Sequence, residues 1–462
     1  MNTFVTIGIL GLIAVAVAVP DGAPSLRPAA TPRSAAVAMA PRPDPAQGMV
    51  VAFVDVAIVP MDSARVLEHQ TVIVRDGRIA AMGPVARVTV PAGAQRVDGR
   101  GKFLMPGLSE MHAHLPNPQN QPAELVERVL FLYVANGVVT ARGMQGTLAV
   151  LPVRDSIARG RLLGPRLWVA GPQLGGNSAT SPDIGRRMVE EQKAAGFDHI
   201  KIQEGLALET YDTIAATAKR LGIRFAGHVP DAVPLAHALE IGQATIDHLD
   251  NYVATLGGPN AEVSDSAIRA LAQATKAAGA WVVPTMALWE TFNGDDTIEE
   301  LRQRAELRYV PEAWVNNWAT AVGTMRSNNP DPGPGLRTVA LRARVLKALS
   351  DAGVGILMGT DSPQLFSVPG FSIHREIASM AAAGMTPFQI LQSGTRNVAV
   401  YYNATNDFGT VAVGQRADLL LLDANPLADA TRVSQRAGVV VGGRWLPRAE
   451  LDRRLETIAA NR

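Results

Sequence analysis

Apolar and polar positions divide the chain into two textures. Between residues 48 and 104 apolar residues come in short alternating runs, the period-two pattern of half-buried strands. Residues 49–59 and 71–74 are predicted strands, and Asp76-Gly77-Arg78 reads as a hairpin turn into a strand over 79–82. Residues 88–90, Val97 and residues 101–104 add shorter strand candidates. The same texture returns over 409–413 and 417–423, and in a hairpin that turns at Gly442-Gly443. Neither end carries enough strand for a stable sheet. The pattern therefore predicts one β-sandwich assembled from residues 48–104 and 401–450, with 451–462 as a C-terminal tail.

Residues 105–400 read differently. Short apolar runs at 104–111, 137–141, 166–170, 199–202, 224–226, 245–246, 281–284 and 355–358 alternate with stretches of helical period. Gly196, Gly222, Gly279 and Gly353 stand between a helical stretch and the next strand, where a left-handed residue ends a helix. Such alternation implies a parallel sheet, and eight units over about 300 residues predict a closed (β/α)8 TIM barrel. One connection, at about 285–335, is too long for a plain crossover. It carries Trp289, Phe292, Tyr309, Trp314 and Trp318, and reads either as a lid or binding excursion or as packing onto the barrel.

Chemistry in such a barrel sits at the C-terminal strand ends. The first strand ends in His112-Ala113-His114, and alternation points both imidazoles the same way. Lys201 lies in the fourth strand, His228 ends the fifth, His248 the sixth and Asp361 the eighth. Four of the eight histidines thus fall at strand ends. Neutral imidazoles hold zinc or a similar divalent ion, and an aspartate adds an anionic ligand that can also take a proton. The lysine is the odd member, because its cation repels a metal. It fits once its amine has reacted with carbon dioxide to give a carbamate; otherwise it pairs with a substrate anion or an acidic neighbour. Tyr133 and Tyr252 are candidate oxyanion or carboxylate contacts. Arg142 either meets a substrate carboxylate or pairs with an acidic neighbour, and His374 either approaches the pocket or caps the barrel with Arg375. His69, His199 and His237 read as packing or structural residues.

Composition narrows the partners. A formal net charge of +1 and 5% aromatic residues argue against nucleic acid and leave a small-molecule substrate. With no cysteine there is no thiolate chemistry and no disulfide. Residues 1–20 read as a signal peptide, or alternatively an N-terminal anchor, and 21–47 as a Pro/Ala-rich flexible leader. The expectation is an exported protein, periplasmic or secreted, with no stable membrane span after processing.

Taken together, Met105-Pro106-Gly107-Leu108-Ser109-Glu110-Met111-His112-Ala113-His114, His199-Ile200-Lys201-Ile202, Gly227-His228-Val229, Ile246-Asp247-His248 and Gly359-Thr360-Asp361 resemble the amidohydrolase superfamily. Within it the chain looks most like the imidazolonepropionase-related branch that includes metal-dependent prolidase-type dipeptidases. Ser109 stands where many members carry aspartate, a position that is not a ligand. The resemblance implies two divalent ions, zinc foremost. His112, His114 and Asp361 would hold one, and His228 and His248 the other. Carboxylated Lys201 and a hydroxide would bridge them, and Asp361 would carry the proton to the leaving group. It further implies cleavage of an amide or peptide-like C–N bond in a dipeptide or N-acyl amino acid. The same centre serves cyclic amides, lactones and other esters, whereas single-metal deamination has no need of a bridging lysine. A non-catalytic binding barrel would leave the ligand set idle. A homo-oligomer is compatible with the chain.

Overall fold

The structure is a computed structural model that describes residues 48–461; the expected signal peptide and leader lie outside the described residues. Five strands come first: β1 (Val50–Ile58), β2 (Leu67–Arg75), β3 (Arg78–Pro84), β4 (Gln95–Asp98) and β5 (Phe103–Pro106). Eight barrel strands follow: β6 (Leu108–Ala113), β7 (Val138–Gly143), β8 (Arg166–Val169), β9 (His199–Ile202), β10 (Arg224–Gly227), β11 (Thr245–Asp247), β12 (Trp281–Val283) and β13 (Gly355–Ile356). The chain ends with β14 (Leu419–Leu422), β15 (Arg436–Val441), β16 (Arg444–Pro447) and a helix over Arg448–Ala460.

Neighbouring barrel strands pair in parallel. Bridges Ala170–His199 and Leu174–Ile202 join β8 to β9. The barrel closes where Met111 donates to Met358 O and Asp361 to His112 O, both at 2.8 Å. The loop after β13 is thereby sewn to β6, which carries the histidine pair. Short crossovers keep each strand beside the next, and the helices bury their apolar stripes against the barrel in one continuous core.

The two chain ends form the second module as expected. Its strands run in one order, β16-β15-β14-β5-β1-β2-β3, with β4 also on β1. A shift between Phe53 and Val56, where Asp55 takes φ 58°, lets β1 pair with β4 and then with β5. Phe53, Val72, Leu104, Leu419 and Trp445 share a core separate from that of the barrel.

The predicted strand 104–111 is two strands in two sheets. Leu104 pairs with Leu421 in the terminal module, and Leu108 pairs with Val138 in the barrel. Gly107 is the join, donating to Asp418 O at 2.9 Å. A Cβ there would lie 2.4 Å from Val139 Cγ2. Gly107→Ala is therefore expected to cost about 1–3 kcal/mol by overpacking, measured by denaturant unfolding.

Other expectations differ locally. Residues 88–90 and 409–413 form no strand; of their valines Val411 is buried in the terminal-module core, whereas Val413 is exposed. Where a tail was expected, the Arg448–Ala460 helix buries Leu451 and Leu455. The long connection holds helices Met286–Asn293, Ile298–Arg302 and Glu312–Asn328. The next helix, Gly333–Asp351, carries Pro334 in its first turn, where proline is tolerated. Among the described residues no helix is long and apolar enough to cross a membrane.

Candidate metal centre

Six of the predicted groups meet at the C-terminal mouth of the barrel. His112 lies within β6 and is fully buried, while the His114 side chain keeps 25% exposure and opens the cluster to solvent. Lys201 lies within β9, and its stem needs Gly227 beside it. A Cβ on Gly227 would come within 2.7 Å of Lys201 Cδ and 2.6 Å of Ile202 O. His248 and Asp361 follow their strands with φ of 59° and 61°, so a left-handed step turns each side chain inward.

Asp361 is the hub. Its Oδ1 lies 2.7 Å from His114 Nε2 and 3.5 Å from His112 Nε2, and its Oδ2 lies 3.7 Å from His248 Nε2. Lys201 Nζ lies 3.1 Å from His112 Nε2. The rings of His112 and His248, and of His228 and His248, have centroids 4.5 Å apart.

Two of the imidazoles are hydrogen-bonded from behind, and a third has a carboxylate beside its Nδ1. His112 Nδ1 lies 2.8 Å from Asp247 Oδ2, His228 Nδ1 is bonded to Asp250 Oδ2 at 2.8 Å, and His248 Nδ1 to Thr285 Oγ1 at 2.9 Å. Partners of this kind fix ring orientation and leave Nε2 for a ligand. Thr285 is itself forced, a β-branched residue at φ 46°. Glu376 steadies it by accepting from Met286 N at 3.0 Å and Ala287 N at 2.9 Å. Beneath the cluster Glu110 accepts from His112 N, Thr360 N and Thr360 Oγ1, tying β6 to the Asp361 strand end.

Burial sets the protonation. It pushes His112 and His248 well below the usual imidazole range and His228 down to about 3, and it lowers Lys201. All three imidazoles are neutral, with a lone pair to give. Burial raises Glu110, Glu204 and Asp250 to about 8.

The donor set fits a divalent ion. One atom each from His112, His248 and Asp361 lies within 4.8 Å of the others, and His248 Nε2 is buried without a hydrogen-bond partner. A second group with the same spacing comprises Glu204, His228 and Asp250. It differs from the expected His228–His248 pairing in bringing Glu204 and Asp250 to His228, whose Nδ1 is bonded to Asp250. Removing that bond with Asp250→Ala is expected to weaken metal binding about 10–100-fold, read by competition against a chromogenic chelator.

The four candidate substrate contacts lie elsewhere. Arg142 is buried inside the barrel, donating to Met111 O, Thr245 Oγ1 and, at 2.9 Å, Asp247 Oδ2; its partner is the acidic neighbour. Tyr252 turns its hydroxyl to Thr275, 2.8 Å away on the Asp265–Ala277 helix. His374 bridges Asn136 and Arg436, between the barrel and the terminal module. Tyr133 is buried and donates to Ser362 O at 3.0 Å, bracing the residue after Asp361. His237 pairs with Asp212 and His69 with Asp55. Glu110, Asp247, Asp250, Thr285 and Glu376 were not anticipated. Only the acidic residues flanking His248 and the carboxylate next to the histidine strand left a sequence signal.

A (β/α)8 barrel with four histidines, a lysine and an aspartate at its strand ends defines a metal-binding catalytic scaffold. The chain belongs to the amidohydrolase family, which it matches over residues 103–446. It is 25% identical over 415 residues to an adenine deaminase of Rubrobacter xylanophilus, covering 86% of this chain and 58% of that one. The chain spans little more than half the length of the adenine deaminases it matches. Among solved structures it resembles the bottromycin amidohydrolase (TM-score 0.70, 26% identity, 92% of each chain). It also shares its fold with a Bifidobacterium longum protein described as a prolidase (TM-score 0.66, 24% identity, 89% of this chain and 99% of that one).

Proposed function

We propose that the protein is a metal-dependent hydrolase that cleaves an amide or peptide-like C–N bond in a small substrate, a dipeptide or N-acyl amino acid. The observation that carries this reading is the convergence of His112, His114, Lys201, His228, His248 and Asp361, with His228 and His248 hydrogen-bonded at Nδ1 and His112 Nδ1 2.8 Å from Asp247. His112, His114 and Asp361 would hold one divalent ion, His228 and His248 a second, and Lys201 as a carbamate would stand between them; zinc suits these ligands best. Bound ions of this kind acidify a water and polarise a carbonyl.

The chain's own residues supply the rest. Asp361, beside His114 and His248, takes a proton at its carboxylate and returns it to the leaving nitrogen. Tyr133, through Ser362, keeps that carboxylate in place. Burial favours the neutral amine of Lys201, the form that adds to carbon dioxide with loss of a proton. The names of the bottromycin amidohydrolase and the prolidase-like neighbour favour an amide over an ester.

The test is metal analysis of purified protein, followed by a panel of dipeptides, N-acyl amino acids, cyclic amides and lactones. The expected result is two ions per chain, turnover of an amide, loss of turnover on chelation and recovery on reloading. Unchanged turnover by fully metal-depleted protein would overturn the reading, and turnover of lactones alone would replace amide with ester.

A further inference from the structure

Arg342, on the Gly333–Asp351 helix, is buried at 1% exposure and forms no ion pair among the described residues. Its Nη2 donates to Pro284 O at 2.9 Å, and its Nε is buried without a partner. Its guanidinium carbon lies 3.9 Å from the centre of the Trp289 ring. A buried cation without a matched anion costs stability, so packing alone does not account for it. Burial lowers it to about 9, which leaves it charged at neutral pH; the carboxylates that offset burial most are, in order, Asp250, Glu376 and Glu290. Arg342 is in turn the strongest cation acting on Asp250, ahead of Lys201.

The groups around it serve the same two histidines. Asp250 is hydrogen-bonded to His228 Nδ1. Pro284 precedes Thr285, which is hydrogen-bonded to His248 Nδ1. Glu376 accepts from the first two backbone N–H groups of the helix that starts at Met286. His112 has a separate arrangement, with Asp247 beside its Nδ1 and Arg142 on Asp247 at 2.9 Å. Each aspartate beside an imidazole Nδ1 thus has its own buried arginine acting on it.

We propose that Arg342 is a positioning residue for the second ion: one guanidinium, seated on Trp289, holds both Asp250 and the Pro284–Thr285 turn and so keeps His228 and His248 aligned on the same ion. The inference rests on the two-ion reading above. The charge reaches Asp250 through a buried site that salt screens little, and it strengthens the hydrogen bond to Pro284 O. A methionine of similar length supplies neither effect.

Titration of zinc into the metal-free full chain against a competing chelator, with metal analysis of the product, tests this. The second-ion step is the one that His228→Ala removes. Arg342→Met is expected to weaken that step about tenfold or more, as loss of a group behind a metal ligand does, and to leave the other step unchanged. Arg342→Lys, which keeps the charge, is expected to fall between Arg342→Met and wild type. The losses in Arg342→Met and Asp250→Ala should not multiply in the double variant, because both act on one imidazole. Leu346→Ala, a buried change one turn along the same helix, is expected to lower the melting temperature and leave both steps alone. An unchanged second step in Arg342→Met, equal weakening of both steps, or the same selective loss in Leu346→Ala overturns the proposal. Should Arg342→Met not fold, Arg342→Lys decides by the same criteria. Wild-type protein that binds a single ion overturns the two-ion reading and this inference with it, whereas two ions in wild type with no selective loss in the variants overturns this inference alone.

Discussion

Asp361→Asn is expected to lower kcat about 10²–10⁴-fold, the range spanned by positioned proton transfer, while the protein still binds metal. The asparagine keeps an oxygen where the carboxylate lay 2.7 Å from His114 and 3.7 Å from His248, but cannot accept and return a proton. Steady-state kinetics on the best substrate, with metal content measured on the same samples, separates the two roles. A variant with full metal and near wild-type kcat would show that another group moves the proton. Loss of metal would make Asp361 chiefly a ligand.

Lys201→Ala is expected to have an effect of similar size by another route. The side chain fills the space between β9 and Gly227 and reaches to 3.1 Å from His112 Nε2. Truncation should leave the protein folded, reduce bound metal below two ions and abolish turnover. Small carboxylic acids such as propionate, added with metal, should restore part of the activity by placing two oxygens where the carbamate would stand. Rescue by carboxylate but not by a small amine identifies the carbamate. Rescue by an amine alone would assign Lys201 to pairing with a substrate anion or with acidic groups such as Asp247.

Much of the centre was legible because its ligands sit at fixed places in a repeated pattern. A histidine or aspartate just after an apolar run is conspicuous in the sequence, as with His228, His248 and Asp361. The parts that were not legible depend on contacts between distant strands. Nothing near Glu376 announces that its carboxylate caps the helix after β12 and so steadies Thr285 behind His248. The sequence left Arg142 open between a substrate carboxylate and an acidic neighbour. Only the closed barrel shows Asp247 waiting inside for it. The break at Gly107 was hidden for a different reason. Apolar residues on either side of a glycine read as one strand, whether or not the two halves belong to one sheet.

That break bears on the order in which a ribosome delivers the molecule. β5 is held on one side by β1, available early, and on the other by β14, made only after the whole barrel. Until Leu419–Leu422 emerges, the strand leading directly into His112 and His114 has an open edge. The first metal-binding segment to be synthesised therefore waits for almost the last strand before it is anchored. Loop closure over that span makes this pairing slow, so immature chains expose an unpaired edge for most of synthesis.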